Sequence, residues 1–160
     1  MTYVEQTIEE LDNISQQLLC LIAYNGDGTA FNKLQEIAEK HKLSQKKTKE
    51  MLRVMVEKGM CTQRYFTNLY DISTAFFLPV IRFLVVHHNE WIDELKKYKE
   101  RRTTPLNLLR DNAIALLQGK QKLKEHMDFA YMIYDISEFM LPAALYPEFY
   151  PLIKQISSHI

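Results

Sequence analysis

The spacing of apolar residues between Ile14 and Lys58 constrains this chain more than any other feature. Apolar side chains stand at 14, 18, 19, 21 and 22, then at 34, 37 and 38, then at 52, 55 and 56. Steps of three and four put each set on one face of an α-helix, whereas a strand would need alternation. His41 extends the second set, and Thr48 the third. The breaks are short. Asn25-Gly26-Asp27-Gly28 ends the first helix with residues that tolerate positive φ. Leu43-Ser44 separates the second from the third, with Ser44 as N-cap, and Gly59 stops the third.

The rest of the chain continues in the same manner. Met60–Tyr65 and Leu69–Ile72 are rich in Thr, Tyr and Ile, and Asn68 suits the turn between them, so a short β-hairpin is expected. Ser73 should cap a long helical stretch reaching about Arg102, with Pro79 kinking it or marking its first turn. Thr104-Pro105 opens another helix that Gly119 interrupts, and a further helix is expected from about Glu125 to Met140. Leu141-Pro142, Tyr146-Pro147 and Tyr150-Pro151 should break the tail into short pieces. Only four Gly and five Pro occur in 160 residues, too few for a turn-rich all-β fold. The 47% apolar fraction excludes wholesale disorder. The expected class is mostly α, divided into an N-terminal unit over 1–73 and a helical region over 74–160.

Three helices, a tight turn and a hairpin between Ile14 and Ser73 resemble a winged helix-turn-helix. The residues that carry the resemblance run from Leu34 to Met60. Ala38 is the small residue that lets the third helix pack closely, Leu43 closes the turn, and Ser44 caps the recognition helix. Leu52 and Met55 are the apolar anchors, and Glu57-Lys58-Gly59-Met60 leads into the wing. The chain departs from the family at Lys42, where Gly is frequent, and at His41, where an aliphatic residue is frequent. A left-handed backbone at Lys42 would carry strain. The resemblance implies a DNA-binding, transcription-regulator-like, non-catalytic protein.

Charge is distributed in blocks although the total is zero. Residues 31–64 carry nine bases and four acids, and residues 96–126 carry nine bases and three acids; the segments around them are acidic. Ser44, Gln45 and Arg53 would lie nearest the bases of a duplex, and Lys46, Lys47, Lys49 and Arg64 would neutralise phosphates. The plain alternative is that Lys and Gln are good, soluble helix formers. Arg64 is the only base of a short wing, which argues against deep minor-groove contact. Balanced charge and a short wing favour the rival reading, a protein-interaction or accessory domain of a larger nucleic-acid-processing enzyme such as a helicase.

Other chemistry is thinly represented. No phosphate-loop, dinucleotide, nucleophile-elbow or HExxH pattern occurs. His87 and Glu90 would share a helix face and could hold a metal with His126, but ordinary helix residues explain them as well. Cys20 and Cys61 read as small core residues. No cofactor or metal is expected. The aromatic residues from Phe129 to Tyr150 suit a core, or a homodimer contact made by the C-terminal helices or a contact with another domain. The acidic stretch from Met1 to Asp12 lacks the basic start of a signal peptide, and Thr74–Val86 is too short for a bilayer span. A cytoplasmic protein without a membrane segment is expected.

Overall fold

A computed structural model of the chain describes residues 2–102, 104–120 and 136–158. Among them the chain is mostly helical, with a small three-stranded antiparallel sheet. Helix α1 (Tyr3–Glu9) is one that periodicity alone did not suggest. Its signal is the capping box, in which the Thr2 hydroxyl accepts from the Glu5 backbone N–H and the Glu5 carboxylate accepts from that of Thr2. Helix α2 (Asn13–Asn25) is capped by Asp12 and is buried continuously from Gln17 to Asn25. A helix with almost no wet face belongs at the centre of the molecule. Leu18, Leu21 and Ile22 are fully buried there, and removing such a side chain typically costs about 2–5 kcal/mol.

After the Gly26–Gly28 turn comes β1 (Thr29–Ala30), a two-residue strand too short for any sequence pattern to disclose. Helices α3 (Phe31–Glu39) and α4 (Gln45–Glu57) follow, then β2 (Cys61–Gln63) and β3 (Leu69–Ile72). The strands lie in the order β1-β3-β2, pairing Thr29 with Tyr70 and Cys61 with Ile72. Thr48, Met51, Leu52 and Met55 form the buried face of α4, with Ser44 as its N-cap. Lys42 does adopt positive φ, at 62°, in the turn between α3 and α4. His41 departs from expectation: it is exposed beyond the end of α3, with a ring nitrogen 3.3 Å from Gln17 Oε1.

The stretch after Ser73 is not one helix. Helix α5 (Thr74–His87) contains Pro79, and Ser73 precedes it without a side-chain cap bond. At His88 the backbone leaves the helical region (φ −138°), and the imidazole stacks on Trp91 with centroids 3.7 Å apart. A single 3₁₀ turn at Asn89–Trp91 and the short α6 (Ile92–Lys96) replace the continuous helix. Helix α7 (Pro105–Leu117) begins as expected at the Thr104 cap, and Gly119 lies just beyond its end. Helix α8 (Ile136–Ala144) continues past Pro142, because a proline near a helix end forfeits only one backbone bond. Pro147–Phe149 form a 3₁₀ turn and α9 (Tyr150–Ser157) follows. The expected helix start near Glu125, His126 and the aromatics at 129, 131 and 134 lie outside the described residues.

One apolar core runs through all of this, joining Leu52 of α4 to Phe77 of α5, Leu109 of α7 and Phe149. Phe139, Tyr146 and Phe149 of the aromatic tail are core residues. Two polar side chains fasten α2 to the later segment. Asn25 Oδ1 accepts from the Glu100 N–H at 2.9 Å, its amide donates to Tyr98 O, and its carbonyl accepts from Asn107 Nδ2 at 2.7 Å. Arg110, 1% exposed, donates to Tyr24 O at 2.6 Å, pairs with Asp111 and lies 4.1 Å over the Tyr24 ring.

Candidate nucleic-acid interface

The outward face of α4 follows from its inward one. With Thr48, Met51, Leu52 and Met55 buried, helical geometry turns Gln45, Lys46, Lys47, Lys49 and Arg53 outward, and all five are exposed. Ser44 is occupied locally, its hydroxyl accepting from the Lys47 N–H at 3.2 Å. Arg53 is paired with Glu57 at 2.5 Å, one turn on. Lys46 and Lys47 make no ion pair among the described residues. These two ammonium groups, beside the positive end of the helix dipole, therefore present positive potential without an ion-pair partner among the described residues.

Lys49 is held differently. Its Nζ lies 5.3 Å from the centroid of the Phe31 ring, a cation–π contact. The backbone N–H of Phe31 donates to Asn68 O at 2.8 Å, so the same residue touches both α4 and the β2–β3 turn. Sequence reasoning missed Phe31 because the strand that delivers it, β1, is only two residues long.

Arg64 does not point free. Its Nη2 donates to Asp71 Oδ1 at 2.7 Å and its Nε to Oδ2 at 3.3 Å across the hairpin. The Asp71 carboxylate beside it strengthens its hold on the proton. Arg102 donates to Asp27 O, and a Cβ on Gly28 would stand 2.5 Å from Arg102 Nη2 and 3.3 Å from Arg64 Nη2. Gly28, at φ 79°, is thus the floor on which two guanidinium groups and the Asp27 and Asp71 carboxylates converge. Burial, with the like charge of Asp71, raises the Asp27 pKa above the usual range against the opposing pull of Arg64 and Arg102.

The turn itself holds the largest surprise. Tyr65 and Phe66 are 81% and 92% exposed, with ring centroids 4.1 Å apart and planes tilted by 57°. Phe66 has φ 58°, a conformation that typically costs a bulky residue about 1–3 kcal/mol. The turn is closed by Arg64 N–H to Leu69 O at 2.8 Å and by Thr67 Oγ1 donating to Arg64 O at 2.7 Å. An open hollow of about 420 Å³ is lined by Gln63–Asn68. The sequence puts Tyr65 at the end of the first expected strand, whereas β2 stops at Gln63 and Tyr65 joins Phe66 in the tip.

Elsewhere the candidate chemistry is dispersed. Helix α5 ends at His87 and Glu90 lies in the following 3₁₀ turn, so they do not share a helix face; His88 Nδ1 instead approaches Glu90 Oε1 at 3.2 Å. Among the described residues no three His, Cys, Asp or Glu side chains are grouped as metal ligands would be. Cys20 and Cys61 are free thiols in the core; burial and the Asp71 charge push Cys61 up to about 12. Among the described residues, no helix is long and apolar enough to cross a membrane. Comparison with protein-family models, curated proteins and solved structures yields no match to this chain.

Proposed function

We propose that residues 13–72 act as a winged helix-turn-helix that binds duplex DNA through the outward face of α4, in a cytoplasmic, non-catalytic, regulator-like protein. The observation that carries this reading is the set of exposed bases Lys46, Lys47 and Lys49 on the first two turns of α4, none of which makes an ion pair among the described residues. Three helices, a tight turn between α3 and α4 and the β2–β3 hairpin, with β1 beside β3, support this reading. Gln45 and Arg53 would meet base edges, and the lysines would meet phosphates. Arg64 would join them only by leaving Asp71.

Each phosphate neutralised contributes a slope of about −0.9 to the logarithmic dependence of affinity on salt. Titration of a labelled duplex between low and moderate salt should give a steep slope. Changing Lys46, Lys47 and Lys49 to Ala should weaken binding to every sequence and flatten that slope, with circular dichroism unchanged. Absence of binding even at low salt would refute the reading. A homodimer would supply the second half-site contact. Leu141, Leu145 and Tyr150 are exposed on α8, α9 and the turn between them, and Leu141→Glu with Leu145→Glu should then halve the sedimenting mass.

The rival reading, an interaction or accessory domain of a larger nucleic-acid-processing enzyme, is favoured by one observation. The wing presents aromatic rings at its tip and keeps its only arginine tied to Asp71.

A further inference from the structure

We propose that the wing tip, Tyr65 and Phe66, stacks on unpaired nucleobases, so that the protein prefers a duplex flanked by single-stranded DNA over a blunt one. The proposal rests on the reading of α4 as a phosphate-binding face and adds a second, separate contact. Two large rings almost wholly in water, the more exposed of them on a strained backbone, are an arrangement that folding alone does not favour. The tip is also held in place. Five hydrogen bonds fix the turn: Arg64 N–H to Leu69 O, Thr67 N–H and Oγ1 to Arg64 O, Leu69 N–H to Thr67 Oγ1, and Gln63 Nε2 to Thr67 O. A turn whose backbone is fixed in this way has less left to order when a flat partner arrives at the rings.

The surroundings select the partner. The neighbours of the rings in the lining of the hollow are Gln63, Arg64, Thr67 and Asn68, all polar, so among these described residues the rings have no apolar continuation. A protein surface would need such a continuation to bury useful area. A nucleobase needs only a ring face, with polar and cationic groups beside it for its backbone. One such cation is linked to the turn: the Phe31 N–H donates to Asn68 O, and the Lys49 ammonium lies 5.3 Å from the Phe31 ring centroid. A strand leaving a duplex seated on α4 would therefore meet the tip with its phosphates still near positive charge. The 57° tilt between the rings leaves them unstacked on each other and available to successive bases.

The test compares a blunt duplex with the same duplex carrying an oligo(dT) tail, by fluorescence anisotropy at fixed salt. The parent should bind the tailed form about tenfold more tightly, in line with stacking of one or two bases. Tyr65→Ala with Phe66→Ala should lose that preference while keeping blunt-duplex affinity, and Phe66→Trp should keep the preference. A 2-aminopurine in the tail should be quenched by the parent and not by the double variant. Equal binding of tailed and blunt duplex by the parent overturns the proposal and leaves the α4 reading intact. So does a double variant that weakens both forms alike, or one that changes only the sedimentation coefficient. Failure of the parent to bind either form overturns both.

Discussion

Arg64 and Asp71 face each other across the hairpin in a two-pronged hydrogen bond, Nη2 to Oδ1 at 2.7 Å and Nε to Oδ2 at 3.3 Å. The pair braces the two strands where the wing begins, and it keeps the guanidinium from any external anion. Removing the carboxylate should therefore trade stability for affinity. For Asp71→Ala the expected loss is about 0.5–1 kcal/mol in urea denaturation. Freed Arg64 should at the same time steepen the salt dependence of duplex binding by about 0.9. An unchanged slope would mean that Arg64 does not reach a phosphate even when released.

Lys42 occupies the left-handed region at φ 62°, where its Cβ crowds the following carbonyl. Glycine has no Cβ to crowd but loses more chain entropy on folding. The balance should make Lys42→Gly more stable by about 0.5–1 kcal/mol, read as a higher denaturant midpoint at unchanged m-value.

Asp27 gives a pH dependence whose sign is opposite to that of a salt-bridged carboxylate. Burial and then the Asp71 charge raise its pKa in the folded protein, against Arg64, Arg102 and the Thr104 hydroxyl. Between the ordinary value of 3.8 and the raised one, the folded chain keeps a proton that the unfolded chain has released. Stability contributed by this group therefore falls as pH rises through that interval and stays lower above it. Asp27→Asn should be more stable than the parent at pH 7, with the difference closing as pH falls below the interval. Parallel urea titrations at pH 7 and in mild acid measure both ends.

Arg110 is the charge that the interior can least afford to lose from its pairing. It is 1% exposed and serves Tyr24 O, Asp111 and the face of the Tyr24 ring at once. Arg110→Ala removes the donor to the Tyr24 carbonyl and the packing over its ring, leaves a cavity, and should cost about 3 kcal/mol or more in thermal denaturation followed by circular dichroism. Arg110→Met keeps the volume and should cost less.

Several helix boundaries are legible in the chain itself. Ser44, Gly59, Thr104 and Pro105 act locally, through caps and fixed φ angles, so their effect is encoded within one helical turn. The α4 face was legible for the same reason, since burial of Leu52 and Met55 dictates where Lys46, Lys47 and Lys49 point. What was not legible depends on distant partners. Strand β1 pairs through Thr29 with Tyr70, forty-one positions away. Arg64 reads as a free wing base because nothing local announces that Asp71, the cross-strand partner of Thr62, lies diagonally within its reach. Cross-strand register decides that, and register belongs to the assembled sheet.

Asn25 carries a consequence for how the molecule comes apart. Its amide and its backbone carbonyl together meet Tyr98, Glu100 and Asn107, residues more than seventy positions later in the chain. Detaching that later segment would leave both polar atoms of the Asn25 amide without partners at the end of a buried helix, at about 1–3 kcal/mol each, while its carbonyl would keep only the Asp27 N–H. Partial openings that release residues 98–107 alone are correspondingly rare, and cooperativity extends from the first helices to α7. Amide hydrogen exchange within α2 should then proceed only by global unfolding, making this helix a reporter of the equilibrium of the entire chain.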